Sequence, residues 1–310
     1  MARRILIDTD PGIDDSMAIL SALRSPELEV IGLSTVFGNA DVDNCAMNGL
    51  RLVELEGHGH IPVAKGAGTP LFREELDLGT QVHGLDGMGN TNPPLPRGNL
   101  DPRYGPQFIL DMVKQFTGEV TLVPLGPLTN LALALQQDPG ITAQVKEVVL
   151  MGGCAFGTGN ISPVAEANIF HDAHAAEVVF RANWDVTMIG LDVTTKIIVR
   201  PADLEKMYAA NNPAVDLLHR IQPCYQKFHD QIYGLNGAFH LHDPSVTAFL
   251  LAPDLFTWIE APVYVETSGL CAGKTIADIH RQWGDRKPVK IAVDADAQAV
   301  INLLIQRLSQ

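Results

Sequence analysis

Short, wholly apolar segments alternate with segments of helical period along most of this chain, and few folds accept that order. Arg4-Ile5-Leu6-Ile7 reads as a buried strand, and residues 14–24 read as a helix with Met17, Ala18 and Leu20-Ser21-Ala22-Leu23 turned inward. The pattern then repeats: strand 28–36 and helix 42–55, strand 119–125 and helix 128–137, strand 145–151 and helix 173–181, strand 185–191. A strand that is apolar throughout, rather than at every second residue, has both faces covered. The expected class is therefore α/β, a mostly parallel central sheet with helices on both faces, and ligands at the carboxyl ends of the strands.

Residues 201–251 read as mostly helical, 262–266 and 288–293 as late strands, and 295–308 as a final helix. Residues 79–98 are rich in Gly, Pro and Asn, the mark of a long loop that is functional or mobile. Neither an internal repeat nor a linker interrupts the pattern, so one domain spanning residues 1–310 is expected.

Composition narrows the partners. A formal net charge of -14 sets the chain against phosphate backbones and anionic lipid, so no nucleic-acid or membrane partner is expected and small ligands fit better. Cys45, Cys154, Cys224 and Cys271 lie far apart without C-x-x-C spacing, which argues against disulfide staples or a zinc site and for a reducing cytoplasm. The apolar run after Arg3 and Arg4 stops at Asp8, far short of a signal-peptide core. No apolar run approaches the roughly 18 residues of a membrane helix.

The densest chemistry sits where the first strand meets the first helix, in Ile7-Asp8-Thr9-Asp10-Pro11-Gly12-Ile13-Asp14-Asp15. One or two aspartates there would be turn formers or helix caps. Asp8, Asp10, Asp14 and Asp15 together repel one another and call for a cation. An oxygen-only donor set selects Ca²⁺ or Mg²⁺ over zinc. Two enzyme classes open on such a string. In the haloacid-dehalogenase-type phosphatases a strand ends in D-x-D, but Thr or Val usually stands where this chain has Gly12, and the Asp14-Asp15 pair has no role there.

The string more closely resembles the opening motif of the nucleoside hydrolase family, and the likeness continues along the chain. It includes Val36-Phe37-Gly38-Asn39, His83-Gly84-Leu85-Asp86-Gly87-Met88-Gly89 and Leu125-Gly126-Pro127-Leu128-Thr129-Asn130. Met151-Gly152-Gly153, Gly159-Asn160, Ala165-Glu166-Ala167-Asn168 and His242-Asp243-Pro244 follow in the same order. The resemblance implies an open, Rossmann-like sheet and Ca²⁺-dependent hydrolysis of the N-glycosidic bond of ribonucleosides, with inosine and uridine or pyrimidine substrates preferred and a homodimer or homotetramer as the assembly. It assigns the metal to Asp10, Asp15, Asp243 and the carbonyl of Leu125. Asp10 becomes the base that activates a metal-held water, and His242 the acid that assists the departing base. Asp14, Asn39, Asn160, Glu166 and Asn168 become the ribose partners, Asn39 also ordering the region around Asp10.

One position departs from the family pattern, Ala167 standing where Phe is usual, which leaves space beside the sugar. His83 and the helical stretch bearing Tyr225, Gln226, His229 and Tyr233 are expected at the base, since aromatic faces stack on bases and amides read their edges. An ordinary amphipathic helix with aromatics in the core would look the same. From another class, a non-catalytic nucleoside- or ribose-binding protein on the same scaffold would keep the sugar contacts and have no need of Asp10. An acyl-transferring hydrolase finds no G-x-S-x-G.

Overall fold

The computed structural model describes residues 2–72 and 78–310, and every site residue expected from the sequence lies among them. The strands are β1 (Arg3–Thr9), β2 (Leu28–Thr35), β3 (Val63–Lys65), β4 (Val120–Pro124), β5 (Glu147–Met151), β6 (Val186–Ile189), β7 (Ile198–Val199), β8 (Phe239–His240), β9 (Phe256–Ala261), β10 (Val263–Val265), β11 (Thr275–Ala277) and β12 (Val289–Ala295). Eight of them form one sheet in the order β3-β2-β1-β4-β5-β6-β12-β9. All neighbours in it are parallel except β12 and the edge strand β9. The chain works outward from β1 through β2 to β3, then returns to the other side of β1 with β4. That reversal opens a crevice between the carboxyl ends of β1 and β4, the position where doubly wound sheets bind ligands.

The uniformly apolar strands divide their side chains between two cores. Ile5 and Ile7 of β1, with Val123 of β4 and Val149 of β5, join one; Leu6, Leu122, Val148 and Leu150 join the other. The first core is covered by α1 (Ile13–Leu23) and α2 (Val42–Leu55). A one-turn helix α3 (Thr80–His83) follows, and then α4 (Gly105–Gln115) and α5 (Thr129–Gln137) on the second core. After the single turn α6 (Ala167–His171) come α7 (Ala173–Arg181), the single turn α8 (Leu191–Thr194) and α9 (Pro201–Tyr208). The long α10 (Pro213–Tyr233), α11 (Asp243–Leu251) and α12 (Ala297–Leu308) complete the helices. Among the described residues, no helix is long and apolar enough to cross a membrane.

The expected boundaries differ in instructive places. The strand expected at 185–191 ends at Ile189, because Gly190 turns the chain and Leu191 opens α8. The segment expected as a late strand at 262–266 pairs with β11 in a separate two-stranded sheet. The loop expected at 79–98 begins as helix, and beyond it Asp86 accepts backbone N–H bonds from Met88, Asn90 and Asn92 at 2.8 Å each. One carboxylate thus gives a Gly- and Asn-rich segment a defined shape.

Candidate active site

Asp10 leaves the end of β1 and its carboxylate lies in a slot made by missing side chains. A Cβ on Gly38 would stand 2.0 Å from Asp10 Oδ2, and one on Gly126 2.4 Å from Oδ1, so both turns need glycine to admit the group. The backbone N–H of Asn39 donates to Asp10 Oδ2 at 2.8 Å, while Oδ1 is buried without a partner. Asn39 also donates through its amide to Asp15 Oδ2 at 2.7 Å. Asp15 is held further by Thr9 Oγ1 and by the N–H of Gly12 at the start of α1. Asp8, two residues back inside the sheet, accepts from Ser34 Oγ at 2.6 Å and Asn130 Nδ2 at 2.8 Å, tying β1, β2 and the start of α5 together.

Asp14 stands at the mouth of this floor. Its Oδ2 accepts from the Tyr225 hydroxyl at 3.2 Å, and its Oδ1 has no partner. Oxygens of Asp14, Asp15 and Asp243 lie within 4.8 Å of one another. Burial first, and then mutual repulsion, pushes the carboxyls of Asp10 and Asp243 well above the usual carboxylate range and raises Asp15 as well. Asp14 is pushed up to about 6 by burial, against the pull of backbone N–H groups at the starts of α1 and α11 and of Tyr225. Packed buried carboxylates with free oxygens are a donor set that fits a hard cation such as Ca²⁺. The Leu125 carbonyl stands at the same cavity and accepts from Asn168 Nδ2 at 2.6 Å.

Asn160, Glu166 and Asn168, the expected ribose partners, form one wall of the cavity with Ala167. Glu166 is fixed in place: it accepts from the N–H groups of Gly153, Asn168 and Ile169 and so caps α6. Asn160 Oδ1 accepts from Ala167 N at 3.0 Å. The loop bearing Asn160 hangs on Asp192 of α8, whose carboxylate accepts from Ala155, Phe156 and Gly157 at 2.7, 2.8 and 3.0 Å.

The opposite wall is aromatic. His83 Nδ1 accepts from Ile13 N at 3.1 Å, which leaves Nε2 as its protonated nitrogen, and burial lowers its pKa to about 4. His242 Nδ1 meets Thr194 Oγ1 at 2.8 Å, leaving Nε2 for the cavity, and burial sets its pKa well below the ordinary histidine value. Tyr225, His229 and Tyr233 line the cavity from α10. Gln226, expected beside them, does not: its amide donates to the Gly237 carbonyl at 2.7 Å. Phe228 lines the cavity instead, as do Gln81, Val82, Met151 and His171, none of them anticipated. Phe228 is legible as one helical turn from Tyr225, and Met151 belongs to the Met151-Gly152-Gly153 motif; Gln81, Val82 and His171 carry no sequence signal beyond proximity to motif residues.

Known proteins share both this fold and this chain. Residues 5–302 match the family described as inosine-uridine preferring nucleoside hydrolase. A probable uridine nucleosidase 2 of Arabidopsis thaliana is 40% identical over 316 residues, covering 99% of this chain and 98% of the relative. The pyrimidine-specific ribonucleoside hydrolase RihA of Klebsiella pneumoniae is 39% identical, covering 100% and 99%. A solved plant nucleoside hydrolase superposes with a TM-score of 0.95 at 36% identity, covering 100% of this chain and 99% of its own. The protein is thus an enzyme, a hydrolase acting on N-glycosyl bonds. It belongs to the nucleoside hydrolase family.

Proposed function

We propose that this enzyme hydrolyses ribonucleosides to free base and ribose in a Ca²⁺-dependent reaction, with inosine and uridine, or pyrimidine nucleosides, preferred. The observation that carries the reading is the floor of buried, part-unpartnered carboxylates beneath a cavity with amide and carboxylate groups on one wall and histidines on the other. Asp10, Asp15, Asp243 and the Leu125 carbonyl would hold the ion. Ca²⁺, when bound, supplies Lewis acidity and a fixed positive charge for oxygen ligands.

The chain's own residues do the rest. Asp10 Oδ1, free of hydrogen bonds, accepts the proton of the attacking water. The surrounding anionic groups stabilise positive charge developing on the sugar. Asp14, Asn39, Asn160, Glu166 and Asn168 orient the ribose hydroxyls, which favours ribonucleosides over 2′-deoxynucleosides. His242 donates a hydrogen bond from Nε2–H to the departing base and keeps its proton, as a neutral imidazole oriented by Thr194. His83, Tyr225, His229 and Tyr233 contact the base. Relatives named for uridine or pyrimidine nucleosides support that preference.

The four free cysteines fit a cytoplasmic setting, and we read the chain as one domain acting as a homodimer or homotetramer. The test is base release from uridine, cytidine, inosine and adenosine in Ca²⁺ and after chelation. Release led by uridine, cytidine or inosine and abolished by the chelator is expected. No release from any of them in Ca²⁺, or release indifferent to chelation, overturns the reading.

A further inference from the structure

His240 plays no part in the chemistry above, yet it is buried against the pocket wall. One nitrogen from each of His229, His240 and His242 lies within 4.8 Å of the other two. The rings surround a common point, with centroids 5.4 Å apart for His229 and His240, 5.9 Å for His240 and His242, and 6.3 Å for His229 and His242. His229 Nδ1 lies 2.9 Å from the Tyr225 carbonyl, which can only accept, so Nδ1 carries the hydrogen and Nε2 the lone pair. His242 is fixed through Nδ1 by Thr194, and His240 Nδ1 is buried without a hydrogen-bond partner.

We propose that His229, His240 and His242 form a site for a late first-row divalent cation, Zn²⁺ above all, and that its occupation closes the leaving-base end of the pocket. The donor chemistry separates this site from the carboxylate floor. Imidazole nitrogens select zinc, cobalt and nickel, whereas the aspartate oxygens select calcium. Ligating histidines are typically oriented by a hydrogen bond at the second ring nitrogen, and the Tyr225 carbonyl and Thr194 hydroxyl supply two such bonds in advance. Zinc–nitrogen bonds of about 2.0–2.1 Å require the donors to close to about 3.3 Å from one another, side-chain movements of roughly 1 Å. Metal on His242 Nε2 would replace the hydrogen of the bond this ring is proposed to donate. That inhibitory half rests on the function proposed above; the binding half does not.

The two are separated by adding Co²⁺, then Zn²⁺, to enzyme held in excess Ca²⁺. The wild type should develop the visible bands of nitrogen-bound, low-coordinate Co²⁺, and His240→Ala and His240→Gln should both lose them. Zn²⁺ should inhibit the wild type, with its half-inhibiting concentration about 100-fold higher in either variant; weaker, outer-shell changes already cost 10–100-fold in metal affinity. His240 is outside the reaction machinery, so zinc-free turnover of the variants should stay near wild type and reports that they are folded. No cobalt band in the wild type, or an undiminished band in a turnover-competent variant, overturns the site. A band that depends on His240 but brings no inhibition keeps the site and overturns the placement of the leaving base.

Discussion

The two ends of the pocket are held by different means. The carboxylate end is built on strand termini and short turns: backbone N–H groups, Asn39 and two side-chain-free turns fix Asp10 and Asp15. The histidine end is assembled from α3, α10 and the start of α11, and His83, His229 and His242 are each oriented by one hydrogen bond, to Ile13, Tyr225 and Thr194. A strand end in a buried sheet has little freedom, whereas a helix face can slide or rotate by a fraction of a turn. Under the proposed function, the difference puts the chemistry common to all nucleosides at the first end and discrimination among bases at the second.

The sharpest attempt to break that contrast is Asp10→Asn. Turnover should fall on the order of 10²–10⁴-fold for every substrate alike, with the circular dichroism spectrum unchanged. Near-normal turnover would remove Asp10 as the base. A smaller and less uniform loss is expected from His242→Ala: about 10²-fold with poor leaving groups and less with an activated one such as a nitrophenyl riboside. An equal loss across leaving groups would mean that His242 only shapes the pocket.

The smallest effect is on stability. Burial raises Asp14 from 3.8 to about 6 and Asp8 from 3.8 to about 7. The folded protein therefore binds these protons more tightly than the unfolded chain, and the stability this gives at low pH is lost as pH rises through about 6 to 7. In chelator the melting temperature should drop between pH 5 and pH 8. Ca²⁺ should raise it more at pH 8 than at pH 5, the whole stabilisation being about 2.7 kcal/mol where calcium is in hundredfold excess over Kd. An equal calcium shift at both pH values would mean that the carboxylates are not what the ion relieves.

The same contrast sets how much was legible in the sequence. Asp10, Asp14 and Asp15 leave one strand end close together in the chain, so that part of the cluster announces itself, whereas Asp243 joins it from the distant start of α11. The parallel sheet is equally visible, because burial on two faces leaves strands apolar throughout. The Leu125 contribution is a carbonyl, which no side-chain pattern records, and only family likeness points to it. Tyr225 and Phe228 show a helical face but not what that face meets: Cys224 on the same helix touches Val82, 142 residues away. Gln226 illustrates the limit, since an amide beside an aromatic looks like a base reader until Gly237 is seen to occupy it. The short edge strand β3 and helix α4 went unread, their signals being brief and their partners distant in the chain.

The single turn α8 carries a consequence for anyone redesigning this pocket. Asp192 hangs the sugar-side loop and Thr194, two residues on, steadies His242 on the opposite wall. Four residues thus hold both the Asn160 loop and His242. On α10 only Tyr225 is bonded to Asp14, so the base-facing positions Phe228 and Tyr233 are open to revision without disturbing it, whereas a change within α8 would retune both walls at once.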